Sequence, residues 1–237
     1  MLKDKKLSII IPVLNEEKNI LILTQKINFY LKKIKYEIIF VDDNSIDHSK
    51  KILKNLKKKF KFFNPVFRNK KRDLSQSCFD GIKKSNFNTI VIMDGDMQHD
   101  PKYILKIYKM YIKNNFDFVI GVRPLFKRHN QGLSEFRRFA SILLIYLFSI
   151  FNIKTKDPMS GFFIFNKKIF TKNKKRFFGQ GFKILADLLI HSKEKIKIKD
   201  VEIKFQRRFG DKSKMSLKII LLLVQFVLYS LIKRLSV

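Results

Sequence analysis

Two aspartates one residue apart, Asp94 and Asp96, close a short apolar run (Ile90, Val91, Ile92, Met93) in the stretch TIVIMDGDMQHDP. A run of that kind is what a parallel strand buried on both faces uses. Carboxylates at the end of such a strand repel each other and are costly to desolvate unless they share a cation. Mg²⁺ or Mn²⁺ suits the pair, because hard divalent ions take oxygen from one or two carboxylates and complete their shells with water and substrate phosphate. Gln98 and His99 follow as further candidate ligands or supports. A plain strand-to-helix turn, with Asp100 as N-cap and Pro101 at the first helical position, accounts for those two residues but leaves Asp94 and Asp96 unexplained.

The elements that must position this turn alternate in type. Residues 7–13 are strand-like, and Asn15-Glu16-Glu17 opens a helix whose apolar positions Ile20, Leu23, Ile27, Leu31 and Ile34 recur at helical spacing. Residues 37–41 (EIIFV) form a second buried strand ending in Asp42-Asp43-Asn44-Ser45, after which Asp47 is placed to cap a lysine-rich helix over 48–60. A short third strand at 65–67 leads to Arg68 and Arg72, and a helix runs from Leu74 to about Lys84. The opening stretch is the fourth strand, 101–113 a helix, and 117–122 (DFVIGV) a fifth strand ending at Arg123. Strands alternating with helices predict βαβ units and a mostly parallel sheet. Ligands of such sheets lie outside the carboxyl ends of the strands. That rule gathers Pro12 to Glu16, Asp42 and Asp43, Asp94-Gly95-Asp96 and Arg123 on one rim, an arrangement suited to a metal-bound, phosphate-bearing nucleotide. No GxGxxG follows the first strand and no GxxxxGK[ST] occurs, which removes the main support for nicotinamide-binding and P-loop readings.

Composition bounds the partners. The 237 residues suffice for one generous α/β domain with an appendage, and the net charge is +31. Lysine dominates and is spread along the chain. Attraction to an anionic membrane surface or a phosphorylated substrate uses part of this charge. A nucleic-acid-binding reading finds no zinc-finger spacing, RNP-like aromatic motif or helix-turn-helix signature. The lone Cys78 sits in a helix-like stretch as a small core residue, in keeping with a reducing cytoplasmic setting. The first residues, MLKDKKLSIIIPVL, are interrupted by Pro12 and lack a small-residue cleavage site, so they read as a strand rather than a signal peptide. Two later runs are apolar all round: 139–151, preceded by Arg137 and Arg138, and 219–232, broken by Gln225 and closed by Lys233-Arg234. Each is too short to cross a hydrocarbon core of about 30 Å. They are expected to lie in a membrane interface rather than serve as a pair of core helices.

The motifs IIPVLNEEKN, VDDNSID, DGDMQHDP, GVR, DPMSGFF, GFKIL and RRFGDKSK occur in an order that resembles the inverting glycosyltransferases of family 2 that make polyprenyl-phosphate sugars, of the dolichol-phosphate mannose synthase type. The likeness runs from about residue 7 to residue 216. VDDNS is shared widely among such transferases, whereas DPMSGFF followed by GFKIL is far more specific. The resemblance implies a GT-A-type α/β fold over 1–214, including an interfacial helix at 137–152, and an appended apolar helix at 215–237. It implies that Pro12, Leu14, Glu16, Asp42 and Asp43 hold the base and ribose of a sugar nucleotide. The resemblance also implies that Asp94, Gly95 and Asp96 hold its diphosphate, with Asp94, Asp96 and Gln98 binding Mg²⁺ or Mn²⁺. Arg123, Arg137, Ser141, Ser160, Lys183 and Lys214 are implied at the acceptor phosphate, and Asp96, Arg123, Asp187 and Arg207 in catalysis, with Ser213 and Lys214 in a closing basic loop. Two departures stand out: Asp73 replaces the usual glycine of a GLS motif, bringing a negative charge near the diphosphate, and Asp211-Lys212-Ser213 is one residue longer than the usual loop. The implied reaction is transfer of a hexose, mannose first, from GDP-mannose to a polyprenyl or dolichyl phosphate at the cytoplasmic face of a membrane, with the protein attached peripherally or monotopically. A UDP-hexose donor or a glycan acceptor is the alternative of the same class. A basic module that binds nucleic acid or a membrane surface is the alternative of another.

Overall fold

The structure is a computed structural model, and it describes residues 5–123, 145, 149–151, 153–181, 184–192, 195–205 and 217–235. Its first half follows the predicted alternation: β1 (Leu7–Val13), α1 (Glu17–Tyr30), β2 (Tyr36–Asp42), α2 (Ser49–Lys59), β3 (Val66–Phe67), α3 (Leu74–Lys84), β4 (Thr89–Met93), α4 (Lys102–Lys113) and β5 (Phe118–Val122). There follow β6 (Phe162–Asn166), α5 (Lys167–Asn173), α6 (Ile184–Ile190), β7 (Ile198–Glu202) and α7 (Leu217–Leu235).

The strands form one sheet in the order β3-β2-β1-β4-β6-β5-β7. Side chains alternate across it, as the strand period of two requires. Ile9, Ile11, Ile38, Phe40, Val91 and Met93 face one side, where α1, α2 and α4 bring Leu23, Ile27, Leu53, Ile104 and Ile107. Ile10, Ile39, Val41, Ile90 and Ile92 face the other, covered by Cys78, Phe79 and Ile82 of α3 and by Leu185 and Leu188 of α6. Around β1, β2 and β4 both faces are therefore dry, which explains why these strands read as mostly apolar runs. Cys78 is buried, as its small-core reading expects.

β6 runs antiparallel to both neighbours, β4 and β5, in an otherwise parallel sheet. Met93, the last residue of β4, is paired with Phe162, the first of β6. This reversal places the chain just before β6, the DPMSG segment, at the carboxyl rim rather than the opposite edge. The order 2-1-4 also means that the chain leaves β1 toward β2 and later returns on its other side as β4. That switch of direction opens a crevice between the ends of β1 and β4.

Two caps differ from expectation. His48 occupies the N-cap position of α2. Asp47 instead accepts from the Ser49 amide at 3.0 Å and the Glu17 amide at 3.1 Å, tying the start of α2 to the start of α1. Pro101 takes the N-cap position of α4, and Asp100 accepts the Lys102 amide from one residue earlier, at 3.0 Å. α7 rests on the domain through Phe226, fully buried in a small cluster with Ala186, Phe178 and Ile190. Among the described residues no helix is long and apolar enough to cross a membrane. The expected helix over 137–152 lies almost wholly outside the described residues.

Candidate active site at the carboxyl rim

The crevice between β1 and β4 is a cavity of about 420 Å³. Pro12, Leu14, Glu16 and Asp43 line one side, Asp94, Gly95 and Asp96 the other, and Arg72, Asp73 and Ser77 close it. Five of these side chains are carboxylates and one is a guanidinium, in a chain whose net charge is +31. A larger hollow of about 910 Å³ along α2 is lined mainly by lysines and shares no lining residue with this cavity.

The turn after β4 is shaped by glycines at two close approaches. A Cβ on Gly95 would stand 2.7 Å from Val13 Cγ1 and 3.1 Å from the Pro12 carbonyl, so the turn can lie flush against β1 only without a side chain. A Cβ on Gly161 would fall inside contact distance of the whole Asp94 carboxyl group. Gly161 thus leaves the space the Asp94 carboxylate fills. Asp96 is largely buried and accepts the Gln98 amide at 3.1 Å. Met97 takes a φ of 63°, a left-handed conformation that lets the chain double back at once. Asp94, Asp96 and the neighbouring Gln98 offer oxygen donors only. Among the described residues no group of three His, Cys, Asp or Glu side chains converges. Two carboxylates suit Mg²⁺ or Mn²⁺, which keep positions for water and phosphate, and do not suit the closed nitrogen and sulfur shell of a structural zinc site. As an expected outcome, Gly161→Ala should push Asp94 aside and weaken Mn²⁺ binding to the protein by about tenfold or more, a loss typical of a disturbed metal surround. Calorimetric titration with the metal measures it.

His99 does not reach that donor set. It is 2% exposed, its ring lies 5.4 Å from the rings of Phe162 and Phe205, and both ring nitrogens lack hydrogen-bond partners among the described residues. Burial, with the nearby Arg123 charge, pushes its pKa down to about 3. It is an uncharged ring packed behind the turn.

Arg123, at the end of β5, is held by a two-pronged pair with Asp157: Nε to Oδ2 at 2.6 Å and Nη2 to Oδ1 at 2.7 Å. Burial lowers the guanidinium's hold on its proton, and Asp157, with Asp94 also contributing, more than restores it. Asp157 is itself braced. Its amide donates to Thr155 Oγ1 at 3.3 Å, and Thr155 Oγ1 donates to Asp200 of β7 at 2.7 Å. Asp157 lies in the DPMSG segment, yet nothing local in the sequence names its partner; only the antiparallel β6 brings it to Arg123. Ser160, expected at a phosphate, is buried and donates to the Gly121 carbonyl at 2.6 Å. Its hydroxyl also accepts the Phe162 amide at 3.1 Å, bracing the reversal into β6.

On the β2 side, Asp42 is fully buried and does not line the cavity. Its Oδ1 accepts the Ser45 amide at 3.0 Å, and Oδ2 has no partner among the described residues. Asp43 does line the cavity. It is ion-paired with Arg68, which also donates to Asp80 at 3.0 Å and to Ser77 Oγ at 3.0 Å. Burial raises the Asp43 pKa in spite of Arg68. Arg68 follows β3 and reaches Asp43 because Asp42 pairs with Phe67 in the sheet, a register that no linear motif announces.

Asp187, expected in catalysis, is 2% exposed and its oxygens are engaged by the Phe178 amide at 2.9 Å, the Gly179 amide at 2.7 Å and His191 Nδ1 at 2.6 Å. It props a loop and does not face the cavity. Arg137, Ser141, Lys183, Arg207, Ser213 and Lys214 lie outside the described residues.

A seven-stranded, mostly parallel sheet with a two-aspartate turn at its switch point is the GT-A type of glycosyltransferase fold. The sequence profile of glycosyl transferase family 2 matches residues 8–173, and the chain belongs to that family. It is 32% identical over 218 residues to a dolichol-phosphate mannosyltransferase of Pyrococcus furiosus, covering 91% of this chain and 60% of that protein. It is 30% identical over 237 residues to a dolichol-phosphate mannosyltransferase of Saccharomyces cerevisiae, covering 92% of this chain and 84% of that one. In fold it is similar to glucosyl-3-phosphoglycerate synthase from Mycobacterium tuberculosis, solved in complex with Mn²⁺, uridine diphosphate and glucosyl-3-phosphoglycerate. The TM-score there is 0.71 at 16% identity, over 98% of this chain and 81% of that one.

Proposed function

We propose that this protein transfers a hexose, mannose from GDP-mannose as first choice, to a polyprenyl or dolichyl phosphate with inversion at the anomeric carbon. The observation that carries the reading is the acid-lined cavity at the β1–β4 switch point, with the Asp94 carboxylate seated over Gly161. A diphosphate would be repelled from five carboxylates unless it entered with divalent metal. When bound by Asp94, Asp96 and Gln98, Mg²⁺ or Mn²⁺ would neutralise the charge developing on the departing nucleoside diphosphate. Pro12 and Leu14 offer an apolar wall for a base, and Asp43 a fixed acceptor for sugar hydroxyls. A lipid phosphate is already an anion near neutral pH, so its attack needs positioning and charge stabilisation rather than a general base. The buried, engaged state of Asp187 is consistent with that. Arg123, held at the end of β5 by its pair with Asp157, would be the guanidinium that meets phosphate at this rim. The names of the two mannosyltransferase relatives support the choice of lipid acceptor and of mannose.

The test supplies purified protein with labelled GDP-mannose, UDP-glucose or UDP-N-acetylglucosamine and a short polyprenyl phosphate, with Mn²⁺ or with EDTA. A lipid-soluble product from GDP-mannose, lost in EDTA, is expected. A product from a UDP-sugar alone would reassign the donor, and none from any donor would sink the transferase reading.

Peripheral attachment to the cytoplasmic face of an anionic membrane completes the proposal. α7 rests on the domain through Phe226 while Val224, Leu228, Leu231 and Ile232 stay exposed, an apolar face suited to the lipid interface. Replacing Leu228 and Ile232 together by glutamate should reduce co-sedimentation with anionic liposomes by about tenfold or more. Undiminished sedimentation would remove α7 from the membrane contact.

A further inference from the structure

Asp73 stands where the resemblance expects glycine, and every polar group it carries is used. Its Oδ1 accepts the Gln76 amide at 3.0 Å, capping α3, and its Oδ2 accepts the Gly181 amide at 2.7 Å. Its own amide donates to Asp43 Oδ2 at 2.7 Å, and its carbonyl accepts from Ser77 Oγ at 3.0 Å and Arg68 Nη1 at 3.3 Å. One residue thus joins the end of β2, the start of α3 and the loop over 178–181. That loop is gripped elsewhere too. Gly179 and Gly181 hold φ values of 66° and 80°, conformations that other residues resist. The Gly179 carbonyl accepts from Gln76 Nε2 at 2.5 Å, and the Gly181 carbonyl accepts from the Ser75 amide at 2.9 Å. Asp187 takes the amides on the loop's far side.

We infer that Asp73 is a positioning residue for the nucleoside diphosphate of the donor: it fixes the Asp43 carboxylate at the cavity wall by stapling the β2 end and the first turn of α3 to the glycine loop. The inference rests on the transferase reading above. Two effects oppose each other. Asp73 adds a negative charge to a cavity already rich in carboxylates, so repulsion alone would make its loss improve anion binding. Yet that charge is met by two amide N–H groups and by the positive end of α3, which quench its field at the cavity. The bonds to Gly181 and Gln76, by contrast, have no substitute. Positioning is therefore the larger effect, and loss of the carboxylate should weaken donor binding.

The test compares wild type, Asp73→Asn and Asp73→Ala by calorimetric binding of GDP with Mn²⁺ and by donor KM and kcat. Asparagine keeps the N-cap preference but has one acceptor oxygen, so it cannot serve both amides; it remains readable if the alanine variant fails to fold. Each variant is expected to bind GDP with Mn²⁺ about tenfold more weakly and to show the same rise in donor KM, with kcat changed by less than about threefold, the size of a lost charge-assisted bond. Unchanged or tighter binding would overturn the inference. So would a fall in melting temperature or kcat with KM unaltered, which is what a merely structural role gives. Wild-type protein that binds neither GDP nor UDP with Mn²⁺ would instead overturn the transferase reading, and this inference with it.

Discussion

Asp96→Ala should lower sugar transfer by about three orders of magnitude, the loss expected when electrostatic stabilisation of a leaving group is removed, while leaving the fold intact. Asp96 is nearly buried beside Asp94, and its Oδ1 accepts the Gln98 amide at 3.1 Å. In the absence of metal the two carboxylates repel, so removing one costs the apoprotein little and can even stabilise it. The contrast appears on adding ligand. Mn²⁺ with GDP should raise the melting temperature of wild type through binding linkage and leave that of the variant unmoved. Full activity in Asp96→Ala, or an equal thermal shift, would remove the metal role from the turn.

The second large effect concerns Arg123. Its partner Asp157 is 1% exposed as a side chain and Arg123 is 14% exposed. Arg123→Ala would strand a buried carboxylate, and breaking such a pair on one side costs about 3–5 kcal/mol. Arg123→Lys keeps the charge but loses the planar fork, so transfer should fall by about a hundredfold, on the scale of a misplaced binding group, with a smaller loss of stability. Replacing both partners by apolar residues of similar size, Arg123→Met with Asp157→Leu, should recover most of the stability because no unpaired charge remains. Activity should stay low. Urea midpoints and turnover, measured on the same three proteins, separate the two roles. A double variant that regained activity would show that Arg123 serves folding alone.

Much of the scaffold was legible because buried parallel strands leave an unmistakable trace. The runs that became β1, β2, β4 and β5 are mostly apolar on both faces, since helices cover both, and the buried exceptions Ser8 and Glu37 bond to each other at 2.6 Å. The acids that stop those runs had to gather on one rim once the strands were parallel. α3 began at Leu74 as expected, and its cap proved to be Asp73. β6 was not seen. Its run FFIFN is as apolar as the others, but an antiparallel insertion depends on which neighbours leave a gap in the sheet, a property of topology rather than of local pattern. The partners it delivers were missed for the same reason: Asp157 for Arg123 and Gly161 for Asp94 are far apart in sequence and meet across β6 and its neighbours. Arg68 was placed after the third strand but given no role, because its pairing with Asp43 depends on the β2–β3 register. Asp187 and Ser160 were assigned to chemistry by resemblance. In the structure both are buried and hydrogen-bonded to backbone, Asp187 to the Gly179 amide and Ser160 to the Gly121 carbonyl.

The central claim is that the Asp94-Gly95-Asp96 turn takes a nucleoside diphosphate through a divalent ion. Calorimetric titration of wild-type protein with GDP, once with Mn²⁺ and once with EDTA, tests it most directly. Binding with Mn²⁺ that weakens by about a hundredfold or more in EDTA is the predicted result, since an acid-lined cavity repels the bare diphosphate. GDP bound equally well in EDTA would contradict the account.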